Sequence, residues 1–345
     1  MPTISNRTSE NFRGIYPIKV LGRVRGSGFG MLPWEVQKKS QYFFCASLVF
    51  SYLCPRKRSC RHDGIEKREK MGIIIGIDVG ISTTKIVGLR DGKPTAPIRI
   101  TAADPITSLY GAFGKYLHDN NIMLGNVEHV MLTGVGAAYV KNDVYGLATS
   151  RCDEFVADAL GARYESHIDH AIVVSMGTGT SFVMCDGDEI RHIGGIGIGG
   201  GTLQGLSRIM LNTDDIKQVS ALAMQGDISH VNLLIGDISA QPLPGLPMEA
   251  TASIFARAQN DASREDIACG IILMVLQSIG SATVLAAQGT SCRDMVLIGN
   301  LSLLPQCKEV FPALEKLYNV RFHIPKYSEY CTAIGAALAY SRRDA

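Results

Sequence analysis

The amino-acid sequence predicts an α/β protein built from two similar lobes facing one cleft. Three observations predict it. An apolar strand, a small-residue turn, a second strand, an Asp-Gly reversal and a third strand occur at 72–101 and again at 171–195. Segments with helical spacing follow each unit, so runs of strands and helices alternate along the chain. A length of 345 residues, with 46% apolar and 19% charged content, is enough for two globular cores.

The first seventy residues read as different material from the rest. They carry 14 Lys/Arg against 5 Asp/Glu, a net +9, whereas residues 71–345 carry 20 against 27, a net −7. Residues 1–40 show no sustained periodicity. Residues 42–54 are apolar, but thirteen residues are too few to span a bilayer, which needs about 20. The stretch also sits too late for a signal peptide. We expect 1–70 to be a basic, disordered and dispensable extension, with Met71 as the start of the fold. Neither a nucleic-acid nor a membrane partner is expected. The nine cysteines form no CxxC pair and no ligand-spaced cluster, which argues against zinc and fits reduced thiols in a cytoplasmic protein.

The first lobe is expected over 71–167. Residues 72–79 form a near-continuous apolar strand with Asp78 near its end. The turn Gly80-Ile81-Ser82-Thr83-Thr84-Lys85 follows, then a strand over 86–90 and a third over about 94–101. An Asp at a strand end before a hydroxyl-rich turn suits Mg²⁺, held directly or through water. The turn amides and Lys85 would face nucleotide phosphates. Read alone, Asp78 serves equally as the cap of a hairpin turn. Residues 104–120 have helical spacing, with Leu109, Phe113 and Leu117 on one face. A short strand over 130–133 leads to Gly134-Val135-Gly136. The segment 150–161 then carries Asp153 and Glu154 at what reads as a helix start.

The second lobe is expected over 168–345. Its first strand, 171–174, enters Gly177-Thr178-Gly179-Thr180. After two more strands, six glycines occupy residues 194–201, ending in Gly199-Gly200-Gly201-Thr202-Leu203-Gln204. A bare backbone before a helix start offers unpaired N–H groups and the positive end of the helix dipole to an anion. Glycine clusters also make ordinary turns. One or two helices follow over 202–225, then a proline-rich loop over 236–247. A long apolar helix is expected over 266–288, and a strand over 294–298 ends in Gly299-Asn300. A helix over 304–317, an edge strand over 321–324 and a small-residue helix over 332–339 complete the chain.

GIDVGISTTK, SMGTGTS and RHIGGIGIGGGTLQGL resemble the phosphate motifs of the acetate kinase–sugar kinase–Hsp70–actin superfamily. Within it, residues 71–340 are most similar to type II pantothenate kinases. The resemblance implies an actin-like (ribonuclease H-like) fold and a cytoplasmic homodimer. It implies ATP- and Mg²⁺-dependent phosphorylation of pantothenate. Glu154 would act on the substrate hydroxyl; without the resemblance it reads as an exposed helix carboxylate. Asp78 would help hold Mg²⁺. Gly80, Ser82, Thr83, Thr84, Lys85, Thr178, the 199–204 junction, Gly299 and Asn300 would hold ATP. Thr178 and Ser181 would lie near the acceptor.

Two positions depart from the family pattern. Ile81 stands where glycine is frequent. His192, preceded by Arg191, stands where an arginine meets the pantothenate carboxylate. Either Arg191 substitutes, or the acid group is recognised differently. Other readings of the same fold are a sugar kinase, an ATPase activator of the 2-hydroxyacyl-CoA dehydratase type, and a nucleotide sensor without turnover.

Overall fold

The computed structural model describes residues 72–342 apart from Ser82, Ala102, Ala103 and Pro242. The expected extension over 1–70, Met71, and Ser82 among the expected phosphate ligands lie outside the described residues.

The first sheet opens with β1 (Ile73–Val79) and β2 (Thr83–Arg90). The expected third strand is two pieces, β3 (Lys93–Pro94) and β4 (Ile98–Thr101), both paired with β2. Pro94 and Pro97 supply no N–H to a ladder, so continuous pairing breaks there. Helix α1 (Pro105–Asp119) follows, its first turn capped by Asp104 Oδ2, which accepts from Thr107 N at 2.6 Å. Then come β5 (Val127–Thr133), β6 (Thr149–Arg151) and α2 (Glu154–Ser166). The strand order is β3-β2-β1-β5-β6, antiparallel in the hairpin and parallel from β1 through β6.

The second sheet repeats the first. Strands β7 (His170–Met176), β8 (Thr180–Asp186) and β9 (Glu189–Ile196) form an antiparallel meander. Helices α3 (Gly200–Leu211) and α4 (Ile216–Ala223) follow. The expected proline-rich loop is flanked by a small excursion of β10 (Leu233–Leu234), α5 (Ile235–Ile238) and β11 (Thr251–Ser253). Next come α6 (Arg264–Ala287), β12 (Asp294–Ile298), α7 (Cys307–Tyr318), β13 (Arg321–His323) and α8 (Cys331–Ala339). The order β9-β8-β7-β12-β13, with β7, β12 and β13 parallel, matches the first sheet strand for strand.

Each sheet is covered on both faces, so its central strands are apolar on both sides. In the first, Ile73, Ile75, Ile77 and Val79 pack against Leu109, Phe113 and Tyr116 of α1. Each fully buried side chain of this size contributes roughly 1.5–3 kcal/mol. In the second, Ile172 and Val174 join the core under α6, while Ala171 and Val173 face Ala159 and Ala162 of α2. Helix α6 is long and apolar enough to cross a membrane by composition, but half of it is buried in this core.

The remaining cover is exchanged between the sheets. Helix α2 ends the first half of the chain and packs on the second sheet. Helix α8 ends the second half and packs on the first, with Ala333 O so close that a Cβ on Gly76 would lie 2.1 Å from it. The two helices meet backbone to backbone between the sheets. A Cβ on Gly161 would lie 1.8 Å from Cys331 O, and one on Gly335 would lie 1.7 Å from Ala157 O. This crossing requires glycine from both partners.

Candidate active site

The β1–β2 and β7–β8 turns open onto one cleft of about 490 Å³. On the first side, Asp78 lies directly opposite Lys85 in the antiparallel register. Opposed residues of a strand pair share a face, and Lys85 Nζ stands 3.4 Å from Asp78 Oδ2. Both line the cleft, where Lys85 is the one cation among the described lining residues. Alternation along β2 puts Thr83 on the same face and Thr84 on the other. Thr83 reaches the cleft. Thr84 is buried, and its Oγ1 accepts from Ser108 Oγ of α1 at 2.9 Å. Its expected phosphate contact is therefore replaced by a tie to the core.

Gly80 N donates to Thr83 O at 2.9 Å, and a Cβ on Gly80 would crowd that carbonyl at 2.7 Å. Ile81 sits at the exposed turn tip and lines the cleft. Its φ is outside the left-handed region, so this backbone does not require glycine there.

On the second side, Ser175 lies opposite Ser181, and both line the cleft with Gly177, Thr178 and Gly179. The glycine run plays a different part from the expected one. Gly200 N donates to Gly177 O at 2.8 Å, and Gly201 N donates to Thr178 O at 2.9 Å. Thr202 Oγ1 accepts from Gly199 N and donates to Gly197 O. Gly199 is required because a Cβ would lie 2.6 Å from Thr178 O. Leu203 is fully buried in the core, its N–H bonded to Gly199 O, and Gln204 is exposed outside the cleft. The Gly200 and Gly201 amides thus hold the turn. A trans peptide points its N–H opposite its C=O. With the 177 and 178 carbonyls aimed at α3, the Thr178 and Gly179 amides point away from it, on the cleft side.

Glu154 enters from α2. Asp153 caps that helix, its Oδ1 accepting from Phe155 N at 2.9 Å and Val156 N at 3.2 Å, which puts Glu154 at the first helical position. Burial pushes the Glu154 carboxyl up to about 7, with Asp78 adding to the rise, Lys85 opposing it and Asp153 adding again. A carboxylate with this proton affinity, facing the cleft, is suited to accept a proton near neutral pH.

Two further turns close the floor. Gly134 after β5 and Gly299 after β12 have φ of 86° and 91°. Both back onto a neighbouring strand end, at Val79 O and Met176 O. Asn300 lines the cleft, and its buried Oδ1 has no hydrogen-bond partner. Gly299 itself lies behind it. Arg191 and His192 do not line the cleft. His192 is stacked on Phe155, with centroids 4.0 Å apart and planes 13° apart, and Phe155 forms cleft wall beside Glu154. Arg191, next along an extended strand, faces the opposite side of β9.

Phe155, Ser175, Gly134 and Val135 line the cleft without having been named as site residues from sequence. Aligning the two repeats would have found three of them. Asp78-Val79-Gly80 matches Ser175-Met176-Gly177, and Thr133-Gly134-Val135 matches Ile298-Gly299-Asn300.

Among the described residues, no three His, Cys, Asp or Glu side chains group to hold a metal ion. Asp78 nevertheless fits Mg²⁺, which uses hard oxygen ligands, often one or two carboxylates with water and substrate phosphates completing its shell.

A family model described as Fumble matches residues 162–337, a little over half of the chain. The chain is 27% identical over 238 residues to a type II pantothenate kinase of Staphylococcus epidermidis, covering 66% of this chain and 84% of that protein. It is 26% identical over 236 residues to a type II pantothenate kinase of Staphylococcus aureus, with the same coverage. Among solved structures, it is similar to the activator of the 2-hydroxyisocaproyl-CoA dehydratase from Clostridium difficile with bound ADPNP. That match has a TM-score of 0.57 and 17% identity over 79% of this chain and 98% of the other. It is also similar to a ROK family glucokinase from Streptomyces griseus in complex with glucose and AMPPNP. There the TM-score is 0.50, with 14% identity over 78% and 99% of the two chains. The repeated sheet order and the cleft between them are those of an actin-like fold, and the chain belongs to the Fumble family, that of the type II pantothenate kinases.

Proposed function

We propose that the protein transfers the γ-phosphoryl group of ATP to the terminal hydroxyl of pantothenate. The observation that carries this reading is the convergence of Asp78, Lys85, the Thr178–Ser181 turn and Glu154 on one cleft. Lys85 and the amides of Thr178 and Gly179 would neutralise and orient phosphates, and Asn300 would meet the nucleoside. Bound at Asp78, Mg²⁺ would neutralise charge on the phosphates. Glu154 would accept the acceptor proton as the hydroxyl attacks. The work is mostly positioning and charge neutralisation.

We assign recognition of the acceptor carboxylate to His192 rather than Arg191, because His192 stacks on Phe155, which lines the cleft, though His192 itself does not line it. A cytoplasmic homodimer belongs to the same reading. The exposed Ile209 and Met210 of α3 are apolar surface that a second copy would cover.

The test is ATP-dependent phosphorylation of pantothenate by the full chain, beside Glu154→Gln and His192→Ala. We expect product from the wild type. Glu154→Gln should lower kcat by about 10²–10⁴ while ATP still binds. His192→Ala should raise KM for pantothenate more than for its neutral primary amide. ATP binding with no pantothenate turnover would refute the assigned acceptor.

A further inference from the structure

Behind the cleft lies a carboxylate that phosphoryl transfer leaves unused. Asp158 stands one helical turn after Glu154 in α2 and is 1% exposed. Its Oδ1 accepts from Thr332 Oγ1 of α8 at 2.6 Å. Its Oδ2 is buried with no partner at hydrogen-bond distance, and the Ser175 hydroxyl acts on the carboxyl as a weaker donor than Thr332.

The charged and titratable groups that act on this region come from every element around it. They are Glu154 on its own helix, Asp78 on β1, Lys85 on β2, Cys185 on β8 and Cys331 on α8. The Ser175 hydroxyl on β7 is the remaining polar neighbour. Among the described residues, Lys85 is the cation that acts on Glu154, and it is already shared with Asp78. Burial pushes Asp158 up to about 7, resisted by Thr332, reinforced by Glu154, resisted by Ser175 and reinforced by Asp78.

An ionised carboxylate buried with one close hydrogen bond, a weaker Ser175 donor and no paired cation is costly in such a place. A neutral acid is, and it has a proton to offer. Residues four apart on a helix are neighbours on one face, and Glu154 acts on Asp158 by charge, so the two carboxyls share one side of α2.

We propose that Asp158 is a neutral acid that positions Glu154, offering its Oδ2 proton to the Glu154 carboxylate while Thr332 fixes its other oxygen. The proposal rests on the reading of Glu154 as the group that accepts the acceptor proton. Asp158 touches neither substrate nor nucleotide. It ties the cleft carboxylate to α8, the helix that backs the first sheet.

The test uses the full chain with Asp158→Asn, Asp158→Ala and Glu154→Gln. At pH 7 the wild-type infrared spectrum should contain the carbonyl band of a protonated buried carboxyl. Glu154, itself partly protonated at that pH, adds to the band, so Asp158→Asn should remove the Asp158 part and Glu154→Gln should leave that part. In turnover, Asp158→Ala should lower kcat about tenfold or more. Loss of the donor raises the proton affinity of Glu154, so the acid limb of the kcat profile should move about one unit to higher pH. ATP affinity should not change. Asp158→Asn should rescue both effects, because its amide donates and cannot ionise.

Absence of the Asp158 part of the band overturns the proposal, since Asp158 is then ionised. A fall in kcat with an unmoved acid limb also overturns it, since the role is then only structural. If Asp158→Ala does not fold, Thr332→Val should move the limb the same way by less, and an unmoved limb there overturns the idea. Full turnover by Glu154→Gln would overturn the base assignment and the positioning role together. The infrared band reports the protonation of Asp158 independently, so the two failures are told apart.

Discussion

The two lobes share a strand order but present different chemistry at the same place. In the first, the cross-strand pair at the mouth of the hairpin is Asp78–Lys85; in the second it is Ser175–Ser181. Both turns span three residues and both face the cleft. One hairpin offers a fixed charge of each sign, the other two hydroxyls that donate and accept. On the proposed function, the difference gives charge neutralisation to the first lobe and directional hydrogen bonding to the second. Exposed only 8% and 13%, Lys85 and Asp78 act where screening is weak, whereas hydroxyls serve neutral parts of a ligand.

The largest predicted effect breaks the charged side. Asp78→Asn should lower kcat about a hundredfold to a thousandfold and raise the Mg²⁺ concentration needed for half-maximal rate. Steady-state kinetics with Mg²⁺ titration measures this. If Ser175→Ala costs as much, the division between lobes is wrong.

The helix exchange that joins the lobes should be nearly as sensitive. Gly335→Ala forces a Cβ onto Ala157 O and should destabilise by about 3 kcal/mol. Gly197→Ala, which meets nothing within 4 Å, should change stability by less than about 0.5 kcal/mol. Urea unfolding of the two variants checks the contrast.

Glu154 is coupled electrostatically to the charged pair of the first lobe, and its pH dependence has a definite sign. A carboxyl whose folded pKa exceeds its unfolded value binds protons more tightly when folded. Its destabilising effect is absent below about 4.5, grows through the window and is complete above about 7. Glu154→Gln should therefore be more stable than wild type at pH 8 by about 1–3 kcal/mol, with no gain at pH 4. Wild-type kcat should fall as pH drops below about 7, because in the proposed function the ionised form is the base. Thermal melts and a pH–rate profile measure the two halves.

The smallest effect belongs to the hydroxyl side. Ser175→Ala and Ser181→Ala should each weaken the acceptor KM by roughly tenfold or less, with the Mg²⁺ dependence unchanged.

Local sequence alone determined the hairpins, their turns, the helix starts and the two-lobed repeat. Alternation, Asp-Gly reversals and caps such as Asp104 and Asp153 are short-range physics, written within a few residues. It also placed Asp78, Lys85, Thr178, Ser181 and Glu154 among the candidates that the structure brings to one cleft. Tertiary structure decided which face each candidate presents. Thr84 went to α1, Leu203 to the core and Arg191 to the far side of β9, because the partner that claims each face is placed by packing. The glycines before α3 became a seat for the 177–178 carbonyls, a contact across more than twenty residues. The crossing of Gly161 and Gly335, and the burial of Asp158 beneath Thr332, join residues about 174 apart. No periodicity within either segment encodes such a meeting; it exists only once both sheets have folded and exchanged their helices.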